Sequence, residues 1–202
     1  MNILKSKFLL ICLLPAFTAW CGFTAQAQAQ GKVLRTIDNM NFRPVEESDP
    51  LLAGKFNEAK AFYSIRPPAG WKKTSLTAGE KALQFGVRFQ DPKNSDCMTL
   101  GMLEGGPKEF TIEALSRFRG DYLRTVREKG LGRIVGSDLF HFKHFYCIQV
   151  IARNKSTVVL QLLIFDQPGA FLQLAYSVDP GRYHALARAM EASIASLEWP
   201  VL

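Results

Sequence analysis

Between Arg133 and Val178 the sequence places four strand-like runs in succession with very little chain between them, and this spacing constrains the fold more than any other feature. The runs are Arg133 to Phe140, Phe145 to Arg153, Thr157 to Phe165 and Phe171 to Val178. Asn154 and Lys155 join the second to the third, and Gln167, Pro168 and Gly169 join the third to the fourth. A parallel crossover needs a dozen or more residues, so neighbours joined this tightly must run antiparallel.

Upstream, Phe62, Tyr63 and Ile65 predict a strand that halts at Pro67 and Pro68, where the ladder loses its amide donors, before Gly70 and Trp71 turn the chain. Two alternating runs follow, Ala82 to Gln90 and Cys97 to Leu103. The first sets Leu83, Phe85, Val87 and Phe89 on one side and the second Met98, Leu100 and Met102. Asp91 to Asp96, with Pro92 and Asn94, is turn chemistry, so the pair reads as a hairpin. After the loop Glu104 to Lys108, Thr111 caps a predicted helix with Ile112, Leu115, Phe118, Tyr122, Leu123 and Val126 at three-and-four spacing, stopped by Gly130. A second helix is predicted with Asp179 at the N-cap and Pro180 at its first position. Its apolar face is Tyr183, Leu186, Met190, Ile194 and Leu197, with Trp199 beyond its end. Each amphipathic helix should cover a sheet. The predicted class is α+β, order β-β-β-α-β-β-β-β-α, around a mostly antiparallel sheet.

The N-terminus has the three parts of a secretory signal: basic Lys5 and Lys7, an apolar run from Phe8 to Phe17, and small residues at Ala25, Ala27 and Ala29. Residues 1–27 are read as a cleaved signal peptide, 28–60 as an irregular lead-in able to lay a short strand on the core, and 61–202 as one domain. The apolar run is too short for a spanning helix of ~20 residues, and no other uncharged run of that length follows, so the chain is not expected to span a membrane. Cys21 has Trp20 rather than a small residue before it, which argues against lipid anchoring. The formal charge is +7, and loss of Lys5 and Lys7 brings it near +5. Export to a periplasmic or extracellular location separates the chain from chromosomal nucleic acid, so the charge suits acidic proteins, anionic headgroups or solubility.

The order of elements, the segment from Phe62 to Trp71 and the terminal stretch from Tyr176 to Trp199 resemble the Mog1/PsbP-like superfamily. The matching residues are Pro68, Gly70 and Trp71, then Tyr176, Tyr183, Ser193, Ile194 and Ser196. The resemblance runs from about residue 59 to 199 and implies an α/β/α sandwich with a central antiparallel sheet. The superfamily includes photosystem II extrinsic proteins, a Ran-GTPase-binding protein and exported bacterial proteins. Its shared motifs are structural, so no activity is carried over.

Candidate sites are few. His141 and His144 lie near Cys147, but a metal site needs three or four converging ligands, and the one further histidine is His184. Cys97 or Cys147 with His144 as base would make a thiol nucleophile, yet both cysteines sit in apolar strands rather than where a thiolate is stabilised. These are the cysteines left after signal removal; they either pair in an oxidising compartment or stand as two buried thiols. Glu46, Glu47, Asp49, Glu104 and Glu109 are not placed to converge as a catalytic carboxylate pair. Gly105 and Gly106 precede a helix without the lysine and hydroxyl of a phosphate loop. The partner-facing candidates are Arg117, Arg124 and Arg127 on the first helix, accompanied by Arg119 and Lys129. Phe85, Phe89, Phe142, Phe145, Phe165 and Phe171 are candidate walls of an apolar ligand pocket. No cofactor or metal is expected. The leading expectation is a non-enzymatic exported protein that binds another envelope or extracellular protein; the alternatives are a carrier of a lipid or other apolar ligand and, behind it, an unrecognised hydrolase.

Overall fold

The computed structural model of this chain describes residues 45–46, 48–58, 63–130, 132–166 and 168–199. The expected signal peptide, most of the lead-in, Cys12 and Cys21 lie outside the described residues. The first half contains β1 (Phe56–Glu58), β2 (Tyr63–Ile65), β3 (Lys72–Thr74), α1 (Ala78–Ala82), β4 (Val87–Gln90), β5 (Cys97–Glu104) and α2 (Ile112–Glu128). The second contains β6 (Arg133–Phe142), β7 (Phe145–Arg153), β8 (Val158–Phe165), β9 (Ala170–Val178) and α3 (Tyr183–Ala195).

The short links act as expected: β6, β7, β8 and β9 pair in sequence, each antiparallel to the next. The β4–β5 hairpin joins this meander through β5 against β9, in register from Cys97 opposite Ser177 to Glu104 opposite Ala170. The result is a seven-stranded antiparallel sheet of order β3-β4-β5-β9-β8-β7-β6. β1 and β2 form a separate two-stranded arm, tied to the end of the chain where Ser64 and Glu198 exchange backbone hydrogen bonds.

Successive strand side chains point to opposite faces, so the sheet has two cores. On one face Leu160, Leu162, Ile164, Leu172, Leu174 and Tyr176 pack with Tyr183, Met190 and Ile194 of α3, with Trp71, and with Tyr63 and Ile65 of the arm. On the other, Leu163, Phe165, Phe171 and Ala175 pack with Leu115, Tyr122 and Val126 of α2. The layers are therefore helix, sheet, helix. β8 is buried along its whole length, which is why its sequence is a continuous apolar run and not an alternating one. Its one polar side chain, Gln161, is satisfied by the Tyr122 hydroxyl, which donates to Oε1 at 2.9 Å.

Four local expectations are corrected. The run Ala82 to Gln90 is not one strand: Thr77 and Glu80 form a reciprocal capping box that starts α1, and β4 begins only at Val87. Gln84 adopts φ +62°, and the break sends Leu83 and Phe85 to the α2 face while Val87 and Phe89 go to the α3 face. β3, which follows Trp71 directly, forms an edge strand where only a turn is predicted. The lead-in supplies β1, the short strand allowed for it, which pairs with β2. α3 begins at Tyr183: Asp179 and Pro180 build a preceding turn in which Asp179 Oδ1 accepts from the Gly181 N–H at 2.7 Å and the Asp179 carbonyl accepts from Arg182 and Tyr183. Ile112, assigned to the buried stripe of α2, is 70 % exposed at the first turn.

Candidate functional site

α2 is held onto the sheet by Leu115, Tyr122 and Val126, and this fixes which side chains face outward. Arg117, Arg124 and Arg127 are all exposed on the far side. Arg124 is engaged by Asp121 at 2.5 Å, an exposed i, i+3 pair. Among the described residues no hydrogen bond or ion pair holds the side chain of Arg117 or Arg127. Gly120 lies between them on the same face, and a side chain added there would meet open space. The helix also carries Glu113, Asp121 and Glu128, so its four arginines leave it a net charge of one. It is an arginine row with acidic neighbours, not a uniformly basic surface.

The cysteine and histidine candidates are not brought together. In the sheet β9 and β8 lie between the strands of Cys97 and Cys147, a separation of ~14 Å at ~4.8 Å per strand, well beyond disulfide reach. The two cysteines are not bonded to each other, and both are buried. Burial pushes the Cys147 thiol far above its ordinary value, the opposite of what a nucleophile requires. His141 is exposed on β6 with its ring against Tyr146, and His144 sits at the β6–β7 turn with Nε2 3.8 Å from Asp166. No group of three potential metal ligands occurs among the described residues. The six phenylalanines fail as a common pocket for a simple reason: Phe89, Phe142 and Phe145 belong to the α3 core and Phe85, Phe165 and Phe171 to the α2 core. They fill both sides of the sheet.

Two surface clefts carry the convergent polar groups. One, of about 650 Å³, lies where α1, the β4–β5 turn and the start of α3 meet. Across it Arg182 bridges two carboxylates, with Nη2 donating to Asp91 Oδ2 at 2.9 Å and Nη1 donating to Asp96 Oδ2. Asp96 Oδ1 also accepts from the Asp179 N–H at 2.8 Å. Burial works to raise the Asp91 carboxyl, but hydrogen bonds from the Lys93 N–H, Asn94 and Arg182 hold it below its ordinary range. Arg88 lies 3.0 Å from Glu80 in the same cleft. The charges there are spent on one another, so this is a clamp that ties the start of α3 to the β4–β5 turn.

The other cleft, of about 540 Å³, is enclosed by the arm, the β6–β7 turn and the segment after α3. Phe145 and Trp199 form its floor, ring centres 5.9 Å apart, with Tyr63 and Leu197 beside them. Lys143 Nζ donates to the Leu197 carbonyl at 2.6 Å. Desolvation lowers the Lys143 ammonium below its ordinary value, with Glu198 working against it. Glu198 is held low chiefly by Lys55, whose Nζ lies 2.5 Å away, and accepts from the Ser64 hydroxyl at 3.2 Å. Sequence reasoning missed this cleft because its walls come from three segments far apart in the chain. The strand β6 also runs to Phe142, which makes Lys143 and His144 a two-residue turn that the predicted end at Phe140 concealed.

No known family profile and no curated protein matches this chain. Solved structures do. The solution structure of cyanobacterial PsbP from Synechocystis aligns with a TM-score of 0.58 at 14 % identity, over 75 % of this chain and 94 % of that one. A protein of unknown function from Pseudomonas aeruginosa, described as a putative regulator, aligns at 0.46 and 10 % identity, over 75 % and 99 %. A Bacteroides thetaiotaomicron protein aligns at 0.44 and 15 % identity, over 73 % and 48 %. Only the first similarity is close enough to carry an argument, and at that identity it concerns architecture alone. With its antiparallel sheet between two helix layers, its Pro68–Gly70–Trp71 turn and its closing strand, turn and helix, this chain has the PsbP-like fold.

Proposed function

We propose that this is an exported, non-enzymatic accessory protein that binds another envelope or extracellular protein through the outer face of α2. The observation that supports the reading is the row of exposed arginines, Arg117, Arg124 and Arg127, on that face. Arginine is enriched at protein interfaces and lysine is depleted there. Arg117 and Arg127, not engaged within the chain, suit a partner surface bearing carboxylates, because a guanidinium binds a carboxylate through two parallel hydrogen bonds. Gly120 leaves a shallow gap between them that lets a partner backbone approach.

The test is capture from an envelope extract with the purified mature protein as bait, comparing the native chain with Arg117→Glu/Arg124→Glu. The reversed variant, equally stable in urea, is expected to lose the captured species. Equal capture by both baits excludes this face.

A further inference from the structure

We infer that the cleft between the arm, the β6–β7 turn and the segment after α3 is a binding site for a small amphipathic carboxylate, with the aromatic floor taking its apolar body and Lys143 its anionic group. The volume of about 540 Å³ is within the ~300–1,000 Å³ of ordinary ligand pockets. Its floor pairs buried Phe145 with the half-buried indole of Trp199 in a tilted contact at 5.9 Å and 32°, so the indole is the ring available to a ligand.

The backbone supplies an independent argument. Phe142 pairs with Phe145, so Lys143 and His144 are the two central residues of a tight hairpin, and Lys143 is held at φ +54°. Glycine adopts that conformation at no steric cost, and a two-residue hairpin with positive φ at its first central position favours it. A lysine there stores strain, and such outliers cluster at functional sites. What the strain obtains is position: the ammonium is brought to the cleft wall over the Phe142 ring at 5.2 Å, with one of its three donors on the Leu197 carbonyl.

The formal charges lining the cleft balance, but Lys55 is paired with Glu198 while no ion pair among the described residues holds Lys143, so the Lys143 ammonium is the group that can meet an anion. Lys55, Lys143 and His144 line it against Glu58 and Glu198, and Glu198 is already engaged by Lys55 and Ser64. The His144 ring packs against Phe145 with centroids 3.9 Å apart, and Asp166 stands 3.8 Å from its Nε2, beyond hydrogen-bond distance. The site is separate from the α2 face, on the opposite side of the sheet.

The experiment titrates the mature protein with phenylacetate and, as a body-matched cation, phenethylamine, following tryptophan fluorescence and heat of binding. Phenylacetate is expected to bind saturably and perturb Trp199, and phenethylamine to bind at least about tenfold more weakly. Lys143→Gly, which accepts the positive φ, is expected to weaken phenylacetate about tenfold or more while its thermal midpoint shows the chain folded. Trp199→Phe is expected to abolish the fluorescence change and leave heat of binding. No saturable binding, equal affinity for the two probes, or unchanged affinity in Lys143→Gly would each overturn the inference.

Discussion

Replacing Arg182 by Met is expected to be among the most damaging single changes outside the apolar cores. The substitution keeps the aliphatic stem and removes the guanidinium that bridges Asp91 and Asp96. The two carboxylates cannot retreat to water, because their side chains are 11 % and 2 % exposed. Removing one partner of a buried ion pair costs about 3–5 kcal/mol, chiefly through the charge left behind. Arg182 is itself 35 % exposed, so water screens part of the interaction and the expected cost is discounted to about 2–3 kcal/mol. Urea denaturation with an unchanged m-value measures this directly. Adding Asp96→Asn to the variant removes the more deeply buried of the two stranded charges and should recover part of the loss, a coupling that a double-mutant cycle isolates. A loss below about 1 kcal/mol, the level of an exposed surface pair, would refute the clamp.

Trp71→Ala is expected to cost about 3–5 kcal/mol, since the ring is buried in the α3 core and meets Tyr176 edge-on at 6.4 Å; chemical denaturation checks it. Gly101→Ala should cost about 3 kcal/mol or more by the same assay, because its Cβ would lie 2.5 Å from the Gln84 carbonyl oxygen and 2.7 Å from Phe85 Cα, both backbone atoms. For acid, the sign follows from Asp91: its folded carboxyl titrates below the unfolded value of about 3.9, so its contribution is complete above that pH and is lost as pH falls through the folded value. The thermal midpoint should hold above about pH 5 and fall below about pH 4, and Asp91→Asn should flatten that fall.

The fold was legible where local chemistry and long-range pairing agree. The short links from Asn154 to Lys155 and from Gln167 to Gly169 permit only antiparallel neighbours, and Thr111 and Gly130 bound α2 as their capping chemistry requires. It failed where a competing local signal was overlooked. The capping box of Thr77 and Glu80 outweighs the alternation of Leu83 to Phe89, and Asp179 spends its side chain on a turn rather than on the helix it precedes. Strand-like cysteines gave no sense of distance, because Cys97 and Cys147 are separated by strands that come later in the chain. The arginines of α2 could be placed outward from periodicity alone. The cleft at Lys143 could not, since it depends on the arm pairing with residues beyond α3.

The most direct test of the account is crosslinking from Gly120, carrying a photoreactive side chain in the full-length protein expressed in its own cells; the position opens onto empty space and sits within the arginine row. A discrete crosslinked protein partner is expected, lost when Arg117→Glu/Arg124→Glu is introduced in the same chain. Illumination that yields only the uncrosslinked protein, or a product that survives the charge reversal, would contradict α2 as the docking face.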